Sequence, residues 1–280
     1  MIHLDSPDIV FLSLGSITAC TSIGSNWSSP TPLPSVHNAL RAPDGAWELW
    51  SSFFWSSLVK NSQTTELGNP RNFYSRVGES NLLWFTVTLT HPEFFMRFEK
   101  WSCNAPGCGG ITAFKDSNWL VNIIVPHQPY FLNQPKNIQV FWGYALSAER
   151  FGNFVHKPMI ECTGQEILSE ILGLLGFPEH PILENAITIP CVTPYMTSQF
   201  LTRSSEDRPQ VIPKGSTNLA LIGQFVEIPQ DIVSTVEYSV RTAQMAVFGM
   251  MRMNVKLKEI CQAEHNFKAL LTHSLKRLLA

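Results

Sequence analysis

Apolar positions along the chain recur with two periods, and the places where the period changes mark its elements. Asp8 leads into IVFLSLGS, a continuous apolar run that ends at Gly15–Ser16 and reads as a strand buried on both faces. Serine, proline and glycine then dominate as far as Pro34, which reads as a loop. Trp47 to Val59 has a loose helical period. Asn81 to Thr90, Gly110 to Val125 and Gln139 to Leu146 are rich in β-branched and aromatic residues and predict strands. Thr163 to Leu175 is the clearest helix: Thr163 caps it, Glu166 completes a capping box, and Gly176 stops it. Asn185 to Arg203 contains Pro190 and Pro194 and reads as irregular. Asn218 to Phe225 predicts a second buried strand, and Thr235 to Met253 a helix. Phe267, Leu270, Leu271, Leu275, Leu278 and Leu279 form an apolar stripe at helical spacing in the last segment. Strands and helices mix without regular βα alternation, so the expected class is mixed α/β (α+β).

Composition sharpens this picture. The 280 residues suffice for one large or two ordinary domains and for a core without disulfide or metal staples. Charged residues make up 15% of the chain, against about 25% in typical soluble domains. With 18 Phe and 8 Trp, the chain has either an unusually large interior or apolar surface that something else covers. The net charge of −2 argues against a nucleic-acid partner. Met1 to Asp8 lacks the basic and apolar regions of a secretory signal, and prolines break both long uncharged stretches before they reach bilayer-spanning length. Six scattered cysteines suit a reducing compartment, so a cytoplasmic location is expected.

Several common chemistries are absent. No G-x-G-x-x-G follows a strand, and Gly107-Cys108-Gly109-Gly110 reads as a turn. No Walker lysine, HExxH or G-x-S-x-G occurs, and Cys103 and Cys108 lack a second pair to complete a zinc site. The strongest local signal is Asn218 to Val247. Here a buried strand ends at Gly223, a loop follows, and a helix begins near Glu237-Tyr238-Ser239. Such a connection can bring backbone N–H groups and a helix dipole to the carboxyl end of a strand, where ligands of open α/β sheets bind. It can equally be an ordinary capped helix. The run ending at Gly15–Ser16 has a similar shape.

Longer stretches carry a resemblance. DIVFLSLGSITACTSIGS, GNPRNFYSRVGES, GGITAFKDSNWL, QPYFLNQP, FWGYAL, GNFVHKPMIECTGQEI, IPCVTPYMTSQF, DRPQVIPKGSTNLALIGQF and TVEYSVRTA run collinearly from about residue 8 to residue 250. Together they resemble the oleate hydratase family, also called myosin-cross-reactive antigens, which are FAD-containing fatty acid hydratases. The resemblance implies an incomplete FAD-binding, Rossmann-like domain with an inserted substrate-binding region and a C-terminal helix. Residues 1–30 and 190–248 would belong to the flavin domain, 31–189 to the fatty-acid region and 249–280 to a C-terminal helical segment. It implies FAD contacts by Gly15, Ser16, Gly223, Gln224, Glu227, Asp231, Thr235 and Ser239. Glu227 and Glu237 also suit the positive end of a helix dipole without any ligand. The implied partners are an unsaturated fatty acid and, in the full-length form, a second copy. The C-terminal stripe, with Lys268, Lys276 and Arg277 between its apolar positions, is a candidate peripheral membrane contact.

Two departures from the family bear on activity. Family members are longer, and their N-terminal half carries the nucleotide loop and the glutamate that activates water. Neither has a counterpart here, so a truncated gene product, a split one or a degenerate copy is expected. After DSNWL, where some members place a Thr, an Asn and a His for the substrate carboxylate, this chain has Ile124, Pro126 and Tyr130. Tyr130 and the nearby His127 can still bind a carboxylate, whereas the side chains of Ile124 and Pro126 cannot. The readings are therefore half of a hydratase, adding water across a cis double bond, or a non-catalytic fatty-acid- and flavin-binding remnant.

Overall fold

The computed structural model describes residues 5, 8–31, 44–59, 67–229, 231 and 236–260. In chain order its main elements are β1 (Val10–Ser13), β2 (Ser22–Ile23), α1 (Gly45–Val59), α2 (Arg71–Tyr74), α3 (Val77–Ser80), β3 (Leu82–Leu89) and α4 (Glu93–Ser102). They continue with β4 (Ile111–Ala113), β5 (Val121–Ile124), β6 (Gln139–Ala145), α5 (Gly164–Leu175), β7 (Ala186–Thr193), β8 (Leu219–Ile222) and α6 (Val236–Met250). The mixed α+β class is observed. The chain divides into two compact units, Met1–Leu14 with Phe53–Gly68 and Ser204–Ala280, and Gly15–Ser52 with Asn69–Arg203. The C-terminal stripe and Thr235 lie outside the described residues.

The larger unit, residues 15–52 and 69–203, is built on a six-stranded sheet in the order β2-β7-β3-β6-β5-β4, antiparallel at every pairing. One face is the core. Leu83, Phe85, Val87 and Leu89 of β3, Val121 and Ile123 of β5 and Phe141 of β6 pack there with Phe94, Phe95 and Phe98 of α4 and the apolar side of α5. Phe94 stacks on Phe141 at 4.3 Å between ring centres. Gly143 makes room for this layer, since a Cβ there would lie 2.4 Å from the Phe85 ring. The start of α5 forms as its sequence predicts. Thr163 Oγ1 accepts from the Glu166 N–H, and the Thr163 N–H donates to Glu166 Oε2 at 2.9 Å. The carbonyls of Ser25 and Asn26 accept from the N–H groups of Gly164 and Gln165, orphan donors of the helix end.

The structure corrects several expectations. Residues 186–193 are not irregular: they form β7, which pairs with β3 along its whole length. Pro190 is tolerated because its carbonyl accepts from Gly24, so its missing N–H points toward the short edge strand β2 and not into the β3 ladder. The expected strand from Gly110 to Val125 is two strands, β4 and β5, joined by a turn in which Leu120 takes a positive φ of 52°.

The other unit contains β1, β8 and α6. β1 and β8 pair in parallel, with Ser13 opposite Ile222. β1 is not buried on both faces: Phe11 is 40% exposed, and among the described residues β8 is its only partner strand. The second strand expected from Asn218 to Phe225 is shorter, ending at Ile222, and its middle residues Ala220 and Leu221 are buried.

Candidate functional site

In the smaller unit, β8 runs into a glycine that its surroundings require. Gly223 has a φ of +101°, and a Cβ there would meet Ser13 Oγ at 3.0 Å, so both the backbone conformation and the close approach select glycine. Its N–H, expected to be free for a ligand, donates instead to Thr242 Oγ1 at 3.0 Å, and that hydroxyl donates to the Ser239 carbonyl at 2.8 Å. Tyr238, on the same helix, is buried and ties the following loop down. Its hydroxyl donates to Val226 O at 2.7 Å and accepts from Ile228 N and from Arg208 Nη1. Burial pushes the Tyr238 pKa up and the neighbouring Arg208 opposes that rise, so the hydroxyl stays protonated and its three partners stay in place.

Beside this hub is a cavity of about 400 Å³ lined by Ser205, Glu206, Arg208, Gln210, Pro213, Lys214, Glu227 and Pro229. Glu227 also lines a neighbouring cavity with Val211, Ile212 and Met245. Its backbone is fixed by its N–H bond to the Pro209 carbonyl at 2.8 Å. Of the described residues tied to flavin by resemblance, Glu227 lines both of these cavities. Gln224 is half-buried in the turn after Gly223, and the N–H of Asp231 closes on the Ile228 carbonyl. Gly15 and Ser16 belong to the other unit. There Gly15 donates to the Ala46 carbonyl, and Ser16 O accepts from the Trp47 indole at 2.9 Å. Sequence reasoning missed Arg208 and Lys214, although the motif DRPQVIPKG places both cations among prolines just ahead of a buried strand.

The larger unit holds a second cavity, of about 440 Å³, lined by Gly107, Gly110, Ile124, Val125, Pro126, His127, Pro129 and Tyr130. Both expected substrate residues, His127 and Tyr130, therefore meet at one site, together with Ile124 and Pro126. Among the described lining side chains, those of His127 and Tyr130 can hydrogen-bond. Gly107, at a φ of +87°, donates to the Val125 carbonyl and approaches His127 so closely that a Cβ would lie 2.9 Å from it. Ile124 links this cavity to the sheet face opposite the core. It sits opposite Trp142 on one side and Ile111 on the other, while Trp142 and Ile189 flank Thr86. On that face Trp84 lies 5.9 Å from Trp142 and 5.4 Å from Tyr144, and its indole donates to Thr193 Oγ1.

A cavity with mostly apolar walls and a few polar side chains is the usual form of a site for a small ligand with an apolar body. The chain belongs to the MCRA family, whose sequence model matches residues 1–248. It is 37% identical over 262 residues to the oleate hydratase of Streptococcus pyogenes serotype M49 (strain NZ131), a stretch covering 89% of this chain and 42% of that protein. It is 29% identical over 266 residues to the linoleate hydratase of Lactiplantibacillus plantarum, covering 88% of this chain and 44% of that protein. The resemblance read from the motifs is thereby established, and the chain spans less than half the length of these curated relatives. Among the described residues, no helix is long and apolar enough to cross a membrane.

Proposed function

We propose that the chain binds an unsaturated fatty acid in its larger unit and FAD in its smaller one, as part of the machinery of a fatty acid hydratase. The observation that carries this reading is the cavity at His127 and Tyr130. It offers two hydrogen-bonding side chains for a carboxylate, and its lining residue Ile124 neighbours Trp142 on the aromatic sheet face, which suits an acyl chain. Since Ile124 and Pro126 contribute only apolar contact, carboxylate recognition falls to His127 and Tyr130. The test is calorimetric titration with monomeric oleate and with the corresponding alcohol. The acid should bind more tightly, and a variant combining His127→Ala with Tyr130→Phe should remove that preference, a loss of about tenfold or more for each charge-assisted hydrogen bond. Equal affinity for acid and alcohol in the unaltered protein sinks the reading.

FAD is the cofactor that family membership implies, and the donor set of the smaller unit fits part of such a group. Arg208 and Lys214 offer charge to a pyrophosphate, Ser205 and Gln210 offer hydrogen bonds, and Glu227 offers an acceptor to a sugar hydroxyl. Gly15, Ser16, Gly223, Gln224, Asp231, Thr235 and Ser239 accompany Glu227 in this proposal by resemblance. Hydration transfers no net electrons, so a bound FAD would supply structural and electrostatic support.

A further inference from the structure

The loop from Pro126 to Ile138 presents three consecutive large side chains to solvent: Tyr130, Phe131 and Leu132, which are 47%, 56% and 98% exposed. Exposing such a patch costs free energy, and chains normally keep apolar groups of this kind scattered. Here the exposure is enforced. Gln134 Oε1 accepts from the N–H groups of Tyr130 and Phe131 at 2.9 and 3.2 Å. Gln134 Nε2 donates to Gln128 Oε1 at 2.8 Å and to the Ile138 carbonyl at 2.7 Å. Gln128 in turn clasps β6, donating to Val140 O at 2.9 Å and accepting from Val140 N at 3.0 Å. Two partly buried glutamines thus lock the loop with its apolar tip outward, and the two rings meet edge to face at 4.9 Å.

The geometry points to a docking finger that enters the interfacial layer of a lipid bilayer. Tyrosine, phenylalanine and leucine are the side chains such a layer accepts, an apolar body with a polar rim of phenol and amide. Charge favours an anionic bilayer in particular: residues 117–148 contain no Asp or Glu, and Lys136 stands four residues beyond the tip. Tyr130 also lines the cavity already described, so a finger seated in lipid holds that cavity against the layer in which free fatty acids partition. The advantage in substrate delivery rests on the fatty-acid reading; the docking itself does not. Because the loop is already ordered, insertion costs little conformational entropy.

The test uses the full chain with vesicles of phosphatidylcholine, with and without one quarter phosphatidylglycerol. The protein should co-sediment with the anionic vesicles, and the double variant Phe131→Ser with Leu132→Ser should lower that partition at least tenfold. A Phe131→Trp variant should shift its emission to the blue on vesicles and be quenched by lipids brominated high on the acyl chain. Lys136→Glu should weaken binding to anionic vesicles and leave binding to neutral ones unchanged. The affinity of the double variant for monomeric oleate should equal that of the parent. If the finger binds vesicles while no variant binds oleate, docking stands and the fatty-acid reading fails. Three results overturn the proposal: no co-sedimentation of the parent, co-sedimentation of the double variant equal to the parent's, or a tip that instead holds two copies together in solution without vesicle binding.

Discussion

Glu170 is fully buried in α5, and its carboxylate accepts three backbone N–H groups, from Asn153, Phe154 and Val155, at 2.7 to 2.8 Å. Glutamine has the same size but only one acceptor, and its amide would point a donor at donors. Glu170→Gln should therefore cost about 2–4 kcal/mol, read as a lower midpoint in urea. The sequence contained a signal for this residue, a lone acid on the apolar side of a well-capped helix beside Ile167 and Ile171, but nothing in the pattern identified the loop it holds. Two other buried groups make stability depend on alkaline pH. Burial pushes the Tyr195 hydroxyl up to about 12 from 10.0, and the Cys162 thiol up to about 12 from 9.0. Both are neutral when protonated, and their folded pKa values exceed the unfolded ones. Their contribution is therefore complete below about pH 9 and is lost as pH rises toward 12. The denaturation midpoint should fall between pH 9 and 11, and Tyr195→Phe should make that fall shallower. An identical pH profile for the variant would rule Tyr195 out as a cause.

The elements divide by how local their signals are. α5 could be read in the sequence to within a residue, because its cap, its acid at the third position and its terminal glycine all act within the helix itself. β3 and β6 were equally plain, being central strands rich in aromatic and β-branched residues. β7 was not, since Pro190 and Pro194 outweigh its apolar alternation until the partner on each side is known. The break between β4 and β5 was marked by Asp116, Ser117 and Asn118, turn formers that the apolar, β-branched residues on either side outweighed. One prediction belongs at this scale. A Cβ on Gly164 would fall 1.8 Å from the Thr188 carbonyl, so α5 reaches β7 only because that position is glycine. Gly164→Ala, normally favourable in a helix, should here destabilise by about 3 kcal/mol, the upper end for overpacking. A thermal midpoint at or above that of the parent would show that α5 can shift without cost.

At the scale of the molecule, the low charge and high aromatic content have a structural counterpart. The aromatics form more than one layer, and only some of them are core. Trp47 and Trp50 are fully buried and pack on Phe73, Tyr74 and Tyr195, which accounts for the helical run from Trp47 that the sequence made visible. Trp84 and Trp142 instead lie half-buried on the sheet face away from the core, Trp142 in register with Ile124 of the His127 cavity and Trp84 beside Trp142. Composition alone could not separate these roles, because core packing and ligand contact call for the same side chains. The positions that bear on the candidate site were legible only where a motif could be aligned: His127, Tyr130 and Glu227 line cavities, whereas Arg208 and Lys214 emerged from the fold. The two tryptophan groups allow a direct check. Bromine on a fatty acid quenches indole fluorescence at short range, so an acyl chain running from the cavity past Ile124 should quench Trp142 most strongly and Trp84 less. Trp47 and Trp50 should be unaffected and serve as an internal reference. Trp142→Phe should remove most of the quenching and leave oleate affinity within about threefold, since it keeps an aromatic ring in place. Quenching that survives this substitution would place the acyl chain elsewhere and leave the sheet face without a part in binding.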